Sequence, residues 1–164
     1  MKLPIQLEYL LISSAHNLVG HYGGPAGETP AVRCPEVRLI PGYGIEGDRF
    51  QHRDLGHARQ ITFFDLKDLE ALSAHLGRTV PPEAVRRNVF VRGLDLPALE
   101  GKRFEIQGAR FEGSESCKPC DWMDQTAGPG AEAFLKDRGG LRARILSGDR
   151  LVVGPASFHL EPLP

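Results

Sequence analysis

The sequence predicts a single domain, residues 1–164, that is mainly β and folds as a barrel with a few peripheral helices. Glycine (19) and proline (13) together make up about a fifth of the chain, which favours short elements joined by tight turns. Runs rich in β-branched and aromatic residues recur between those turns, as in strands. Only one stretch has a sustained apolar spacing of three and four residues, as in a helix.

Nine strands are predicted in order along the chain, at residues 6–14, 32–40, 59–63, 89–92, 102–106, 109–115, 141–146, 151–153 and 157–160. Pro35 interrupts the second of them, as proline does at a sheet edge or a bulge. Gln107 and Gly108 lie between the fifth and sixth strands and predict the turn of a hairpin.

One helix is predicted after Asp65, which can cap its start, and before Gly77, which can close its end. Its leucines recur at the spacing of one helix face, so this helix serves packing. Short helices are also expected at 121–124 and 131–138, with a helical turn at 81–85.

The charge balance bears on the kinds of partner. The chain carries 20 basic and 21 acidic residues that are interspersed, so no strong field would draw it onto a nucleic-acid polymer. No apolar run approaches the ~20 residues of a membrane-spanning helix. With three cysteines and no signal-peptide pattern at the start, we expect a cytoplasmic protein.

Two of the cysteines, Cys117 and Cys120, form a CxxC motif with Lys118 and Pro119 between them. Structural zinc needs four ligands, and Cys34 and the six histidines are too scattered to complete a set, so we expect none. A dithiol redox couple would stand at the start of a long helix in a βαβ unit, which the flanking sequence does not predict.

One working cysteine remains, and its position favours Cys120. Pro119 restricts the backbone before it, while a helix start after it and the charge of Lys118 would favour a thiolate. The alternative is that Cys117 and Cys120 are small buried hydrophobic residues. The residues alone leave these two interpretations about equal.

The chain from about residue 44 to the end resembles the MOSC domain, named for the C-terminal part of molybdenum cofactor sulfurases. The segments that carry the resemblance, in order, are Gly44-Ile45-Glu46-Gly47-Asp48-Arg49 with His52, Arg59-Gln60-Ile61, Arg86-Arg87-Asn88-Val89, Leu99-Glu100-Gly101-Lys102-Arg103-Phe104, Gly108-Ala109, Pro119-Cys120, Gly148-Asp149-Arg150 and Val153-Gly154. Each is weak alone, but their order over some hundred residues is specific.

The resemblance implies a barrel of the MOSC or pyruvate-kinase-barrel-like type that binds molybdenum cofactor (molybdopterin), with Cys120 as the catalytic residue and molybdenum ligand. In related reductases of small N-hydroxylated compounds, the metal held by such a cysteine changes oxidation state while oxygen leaves the substrate. The expected cofactor-binding residues, for the phosphate or the pterin, are Asp48, Arg49, His52, Arg59, Arg87, Asn88, Arg142 and Arg144. The Gly47-Asp48-Arg49 loop could equally be a structural turn held by Asp48.

Two other functions stay open. Cys120 could carry a persulfide or the cofactor for a separate sulfurase, in which case pyridoxal phosphate chemistry would belong to that partner. The chain could also be a plain binding module.

Two further residues have candidate roles. Cys117 would be structural or a resolving thiol, and His21, in a glycine-rich loop, is a candidate proton donor. A reductase would need electrons from a separate protein, because no further cysteine cluster could hold an iron–sulfur centre.

Overall fold

The computed structural model describes residues 1–15, 30–51 and 53–163. The strands are β1 (Lys2–Ile12), β2 (Val32–Cys34), β3 (Glu36–Ile40), β4 (Gly44–Ile45), β5 (Ile61–Asp65), β6 (Val89–Arg92), β7 (Arg103–Ile106), β8 (Ala109–Ser116), β9 (Leu141–Ser147), β10 (Arg150–Val152) and β11 (Gly154–Leu160). The helices are α1 (Leu66–Leu76), α2 (Trp122–Thr126) and α3 (Ala131–Phe134), with 3-10 turns at Pro82–Val85 and Pro97–Leu99.

Seven strands close into a barrel in the order β1, β11, β7, β8, β9, β5, β6, and β6 returns to β1. The ring closes because β1 pairs antiparallel with β11 at one edge and with β6 at the other. All neighbours in the ring are antiparallel except β5 and β6, which α1 connects as a crossover. The predicted mainly β barrel is confirmed.

Most predicted elements are present, several with bounds shifted by two or more residues, and two differ in a way that has a clear physical reason. The predicted strand at 32–40 is two strands, because the chain leaves the sheet at Pro35: β2 pairs with β1, whereas β3 pairs with β10 and β4 in a small second sheet. The predicted helix at 131–138 ends at Phe134, and Asp137 has a left-handed φ of 66° that would not continue a helix.

The inside of the barrel is filled with apolar side chains. Phe63, Phe104 and Phe111 are fully buried, and their ring centroids lie 5.4–5.7 Å apart. Leucine, isoleucine and valine side chains from β1, β3, β6 and β9 complete this core. The barrel is therefore a packed core rather than a channel, and a ligand site must lie on its outside or at its ends.

The helices cover one outer face of the barrel. Phe64 on β5 and Phe90 on β6 point out of the barrel, because the residues before them point inward. Their side chains pack against residues of α1, α2 and α3. The predicted caps of α1 are confirmed: Asp65 Oδ1 accepts from the Lys67 N–H at 2.9 Å, and Gly77 adopts φ 68°. No helix in the described ranges is long and apolar enough to cross a membrane.

Asn88 joins three strands at the start of β6. Its side-chain Oδ1 accepts from the Thr62 N–H and from the Thr62 hydroxyl, each at 3.0 Å, and its Nδ2 donates to the Leu11 carbonyl at 3.1 Å. The Asn88 N–H donates to the Thr62 hydroxyl at 3.0 Å. Asn88 is only 4% exposed, so water cannot easily replace these partners.

We predict that Asn88→Ala lowers the free energy of unfolding by about 2–4 kcal/mol, because it leaves the Thr62 N–H and the Leu11 carbonyl without their side-chain partner in a buried place. Urea denaturation measures the loss. Gln107→Ala is the matched control: its amide also makes two backbone bonds, with Val152, but at an exposed turn. There water can substitute, so we expect a loss of less than about 1 kcal/mol. Equal losses in the two variants would show that Asn88 is not a structural connection.

Candidate functional site

The outward face of β9 carries two of the expected cofactor-binding arginines. Along β9, Leu141, Ala143 and Ile145 are buried in the barrel, so Arg142 and Arg144 alternate to the outside. Each meets a carboxylate of β8: Arg142 Nη1 lies 2.8 Å from Glu115, and Arg144 Nη1 lies 3.4 Å from Glu112. Arg144 Nε also donates to the Gly56 carbonyl at 2.9 Å and so anchors the loop before β5.

That loop, residues 53–59, brings Arg59 beside Arg142. Partial burial lowers the pKa of Arg59, and the neighbouring charges of Arg142 and Arg53 lower it further, against opposing effects of Glu115 and Cys117. The Ser114 hydroxyl donates to the Ala58 carbonyl at 2.7 Å and fixes the loop to β8. A cavity of about 320 Å³ opens here between Arg53, His57 and Arg59, with Asp54 also in its wall.

Asp48 is built into the fold. It is 1% exposed, its Oδ1 accepts from the Ser13 N–H at 2.9 Å, and its carboxylate lies 3.7 Å from Arg49. These contacts tie the loop after β4 to the end of β1, which is the structural turn that the sequence left open as an alternative. Asp48 therefore positions Arg49 through the same loop.

Arg49, Arg86 and Arg87 lie together in a partly buried place. Burial lowers the pKa of Arg49, and nearby Arg87 lowers it further, while Asp48 and Cys117 oppose the change. Burial, with a contribution from Arg49, lowers the pKa of Arg86 to about 10. The surroundings thus disfavour these positive charges, and an anion bound beside them would relieve that cost.

Arg87 connects this group to the cysteine segment. Its Nε donates to the Gly139 carbonyl and its Nη1 to the Val85 carbonyl, both at 2.9 Å. Gly139 in turn packs so closely on Cys117 that an added Cβ would come within 1.9 Å of the Cys117 carbonyl oxygen. We call Arg49, Arg59, Arg86, Arg87 and Arg142 the arginine cluster.

The two cysteines of the CxxC motif have different environments. Cys117 is 5% exposed and follows directly after β8, where its N–H donates to the Gly140 carbonyl at 2.8 Å. Cys120 is exposed, and its carbonyl accepts from the Met123 N–H in the turn that leads into α2. The alternative that both cysteines are buried is therefore wrong for Cys120.

The predicted residues separate into those the structure brings together and those it holds elsewhere. Arg49 and Arg59 lie near Cys117, Arg87 bonds the Gly139 carbonyl that packs on Cys117, and Arg142 lies beside Arg59. The Asn88 side chain hydrogen-bonds to Thr62 and Leu11. Asp48 bonds the Ser13 N–H and Arg144 bonds the Gly56 carbonyl, so both hold loops in place. His52 and His21 lie outside the described residues. Across the described ranges, no group of three or more histidine, cysteine or acidic side chains is arranged to hold a metal ion.

A second cavity, of about 940 Å³, is lined in part by Cys117, Lys118 and Pro119, and the sequence did not reveal it. Its wall combines apolar residues, six carboxylate side chains and three cationic ones. The carboxylates are Asp65, Asp68, Asp95, Asp124, Glu132 and Asp137, and the cations are Lys118, Lys136 and Arg138. We call it the acidic cavity. Its acidic residues come from five separate segments and form no motif, so only the fold brings them together.

Comparisons with known proteins place the fold. The chain superposes on YuaD from Bacillus subtilis with a TM-score of 0.73 at 17% identity, over 99% of each chain. It superposes on YiiM from Geobacillus stearothermophilus with a TM-score of 0.71 at 15% identity, over 96% of this chain and 75% of that one. YiiM from Escherichia coli gives a TM-score of 0.66 at 16% identity, over 100% and 71%. These identities are low enough that the likeness concerns the fold alone.

No curated protein matches the chain significantly in sequence. The sequence model of one protein family, the MOSC domain, matches residues 51–157 of the chain. The matched range covers most of the barrel, the arginines before β5 and β6, and the CxxC segment. The chain belongs to the MOSC domain family.

Proposed function

We propose that the protein binds molybdenum cofactor against the arginine cluster, holds molybdenum through Cys120, and reduces small N-hydroxylated compounds. The observation that carries the proposal is the gathering of desolvated guanidinium groups beside the cysteine segment. Arg49 has only 12% of its side chain exposed, and the pKa of Arg86 is lowered by burial to about 10. Asp48 supplies one negative charge near Arg49 and Arg86, while Arg87 adds a further positive charge near Arg49, so a bound anion would lower the electrostatic cost of gathering these cations.

The donor set fits the cofactor that the family implies. A pterin phosphate is an oxyanion, and planar guanidinium groups bind oxyanions through paired N–H donors. Arg49 and Arg59 come from the loops before β5, and both lie near enough to Cys117 for it to be among the groups that affect their pKa values. An anion in this region would thus meet cations from two loops.

Cys120 fits the role of a soft metal ligand. Its side chain is exposed, and Pro119 restricts the backbone immediately before it. A thiolate donates charge to a high-valent metal, and the bound cofactor would supply the centre that exchanges electrons with the substrate. Arg87 holds the loop at Gly139 against Cys117 and so helps to fix the segment that presents Cys120.

The net reaction breaks an N–O bond: an N–OH group, two electrons and two protons give N–H and water. The electrons would come from a separate protein. Gly42, Gly44 and Gly47 do have the G-x-G-x-x-G spacing of a dinucleotide-binding loop, but they flank the short strand β4. The next helix in the described ranges begins only at Leu66, so the loop lacks the helix start that would bind a pyrophosphate.

The exposure of Cys120 also suits the second candidate function, a persulfide carrier for a separate sulfurase. A carrier must present its sulfur to another protein, which an exposed cysteine can do. Mass spectrometry of the native protein distinguishes the two. One additional sulfur atom on Cys120 without bound pterin favours the carrier, and bound pterin with molybdenum favours the reductase.

We predict that Arg49→Gln weakens cofactor binding about tenfold or more, because it removes a charge-assisted contact in a desolvated place. The readout is the fluorescence of oxidised pterin released on denaturation, after loading at graded cofactor concentrations. Arg150→Gln is the matched control, since Arg150 is exposed on β10 and its nearest carboxylate is 3.5 Å away. If both variants load as the natural protein does, the arginine cluster does not bind the cofactor.

We predict that Cys120→Ser loses bound molybdenum but keeps much of the pterin, because the arginine cluster would still hold the phosphate. Elemental analysis measures the metal, and pterin fluorescence measures the organic part. Cys34→Ser is the control: Cys34 is half-buried on β2, where its thiol contacts the Val32 carbonyl at 3.7 Å. A Cys120→Ser variant with full molybdenum content and undiminished activity would refute the assignment of Cys120.

A further inference from the structure

The acidic cavity is not used by the proposed cofactor site. It lies between the C-terminal ends of β5 and β8, the connection after β6 that contains Leu94 and Asp95, and the turn that follows α3. None of the arginines of the arginine cluster lines it. Its volume of about 940 Å³ is at the upper end of the range for small-molecule sites, which is roughly 300–1,000 Å³.

About half of the described carboxylates outside the acidic cavity have an ion pair. Elsewhere, six glutamates each lie within 4.0 Å of an arginine: Glu36, Glu70, Glu83, Glu112, Glu115 and Glu161. Within the described ranges, none of the six carboxylates of the cavity has such an ion pair. The wall therefore carries negative charge that its own cations do not neutralise through contact.

Two of the six carboxylates accept hydrogen bonds from backbone N–H groups and so stabilise the fold. Asp65 caps α1, and Asp124 accepts from the Glu132 N–H at 2.8 Å. Asp68, in contrast, is half-buried in the wall and has no such contact with any residue that the structure describes. Burial raises its pKa, and the neighbouring charge of Asp65 raises it further, while Arg138 and Lys67 oppose the change. A bound cation would reduce this electrostatic cost.

The remaining wall is suited to an organic ligand. Leu94, Leu96 and Leu141 give the cavity an apolar surface, and Pro97 and Pro119 extend it. The thiol of Cys117 adds a polar group in a buried place: the residue is 5% exposed and lines the cavity, and its sulfur makes no hydrogen bond within the described parts of the chain. An unpartnered donor at such a wall is a contact that a ligand can complete.

We infer that the acidic cavity binds a small organic cation, with an amidinium or guanidinium group on an apolar body. The planar cationic group would lie between the carboxylates of Asp68 and Asp95, since carboxylates bind such groups through paired hydrogen bonds. The apolar body would pack on Leu94, Leu96 and Leu141. This site is separate from the cofactor site proposed above, and it requires no bound cofactor.

A matched set of probes tests the inference on the full chain without cofactor. The probes are 4-amidinobiphenyl, neutral biphenyl-4-carboxamide and anionic biphenyl-4-carboxylate, which share one apolar body. Isothermal titration calorimetry should show the amidine binding about tenfold or more tighter than the amide, and no measurable binding of the carboxylate. Amide shifts in nitrogen-15 spectra should move at Gly139 and Gly140, which line the cavity, and not at Arg53 or His57. Equal affinity for amidine and amide, or shifts confined to residues 53–59, would overturn the proposal.

Substitutions then locate the charge that selects the cation. Asp95→Asn, at an exposed position, and Asp68→Asn should each weaken amidine binding about fivefold or more and leave amide binding unchanged. Glu105→Gln on β7 is the control, because it removes a carboxylate that does not line the cavity. Should Asp68→Asn fail to fold, Asp95→Asn alone decides. Unchanged selectivity in Asp95→Asn, or an equal loss in Glu105→Gln, contradicts the proposal.

Discussion

The closure of the barrel through β1 is the constraint on which the rest of the structure depends. β1 pairs with β11 over its first half, with β6 over its middle and with β2 at its end, so one strand joins both edges of the sheet. Its continuation then places Ser13 against Asp48. Because the loop that carries Arg49 is fixed to β1 in this way, the position of a candidate ligand-binding arginine follows from strand pairing far from it.

Asn88 shows how a family motif can serve the fold and the site together. Its amide joins β1, β5 and β6, while the residue before it, Arg87, reaches across to the Gly139 carbonyl. The Asn88 Oδ1 accepts two hydrogen bonds inside the protein and its Nδ2 donates one, so a single N–H of the amide is left for any ligand. The asparagine thus fixes the start of β6, and the arginine, besides its place in the arginine cluster, fixes the segment around Cys117.

The fold was largely predictable from the sequence because its signals are local. Glycine and proline mark the turns, alternating residues mark the strands, and Asp65 and Gly77 mark the ends of α1. The split at Pro35 was only partly predictable, since proline marks an interruption but not which sheet each half joins. The arginines were found through motif resemblance. The acidic cavity was not predictable, because Asp68 and Asp95 become neighbours of one cavity only through tertiary packing.

Cys117 gains a physical role from its place between two regions of opposite charge. It is among the groups that affect the pKa values of Arg49 and Arg59, and it also lines a cavity rich in carboxylates. Cys117 is 5% exposed, whereas Lys118 and Cys120 are exposed, so the CxxC segment runs from the protein interior to the solvent within four residues. The buried Cys117, whose N–H donates to the Gly140 carbonyl, fixes one end of the segment and leaves the Cys120 thiol accessible at the other end.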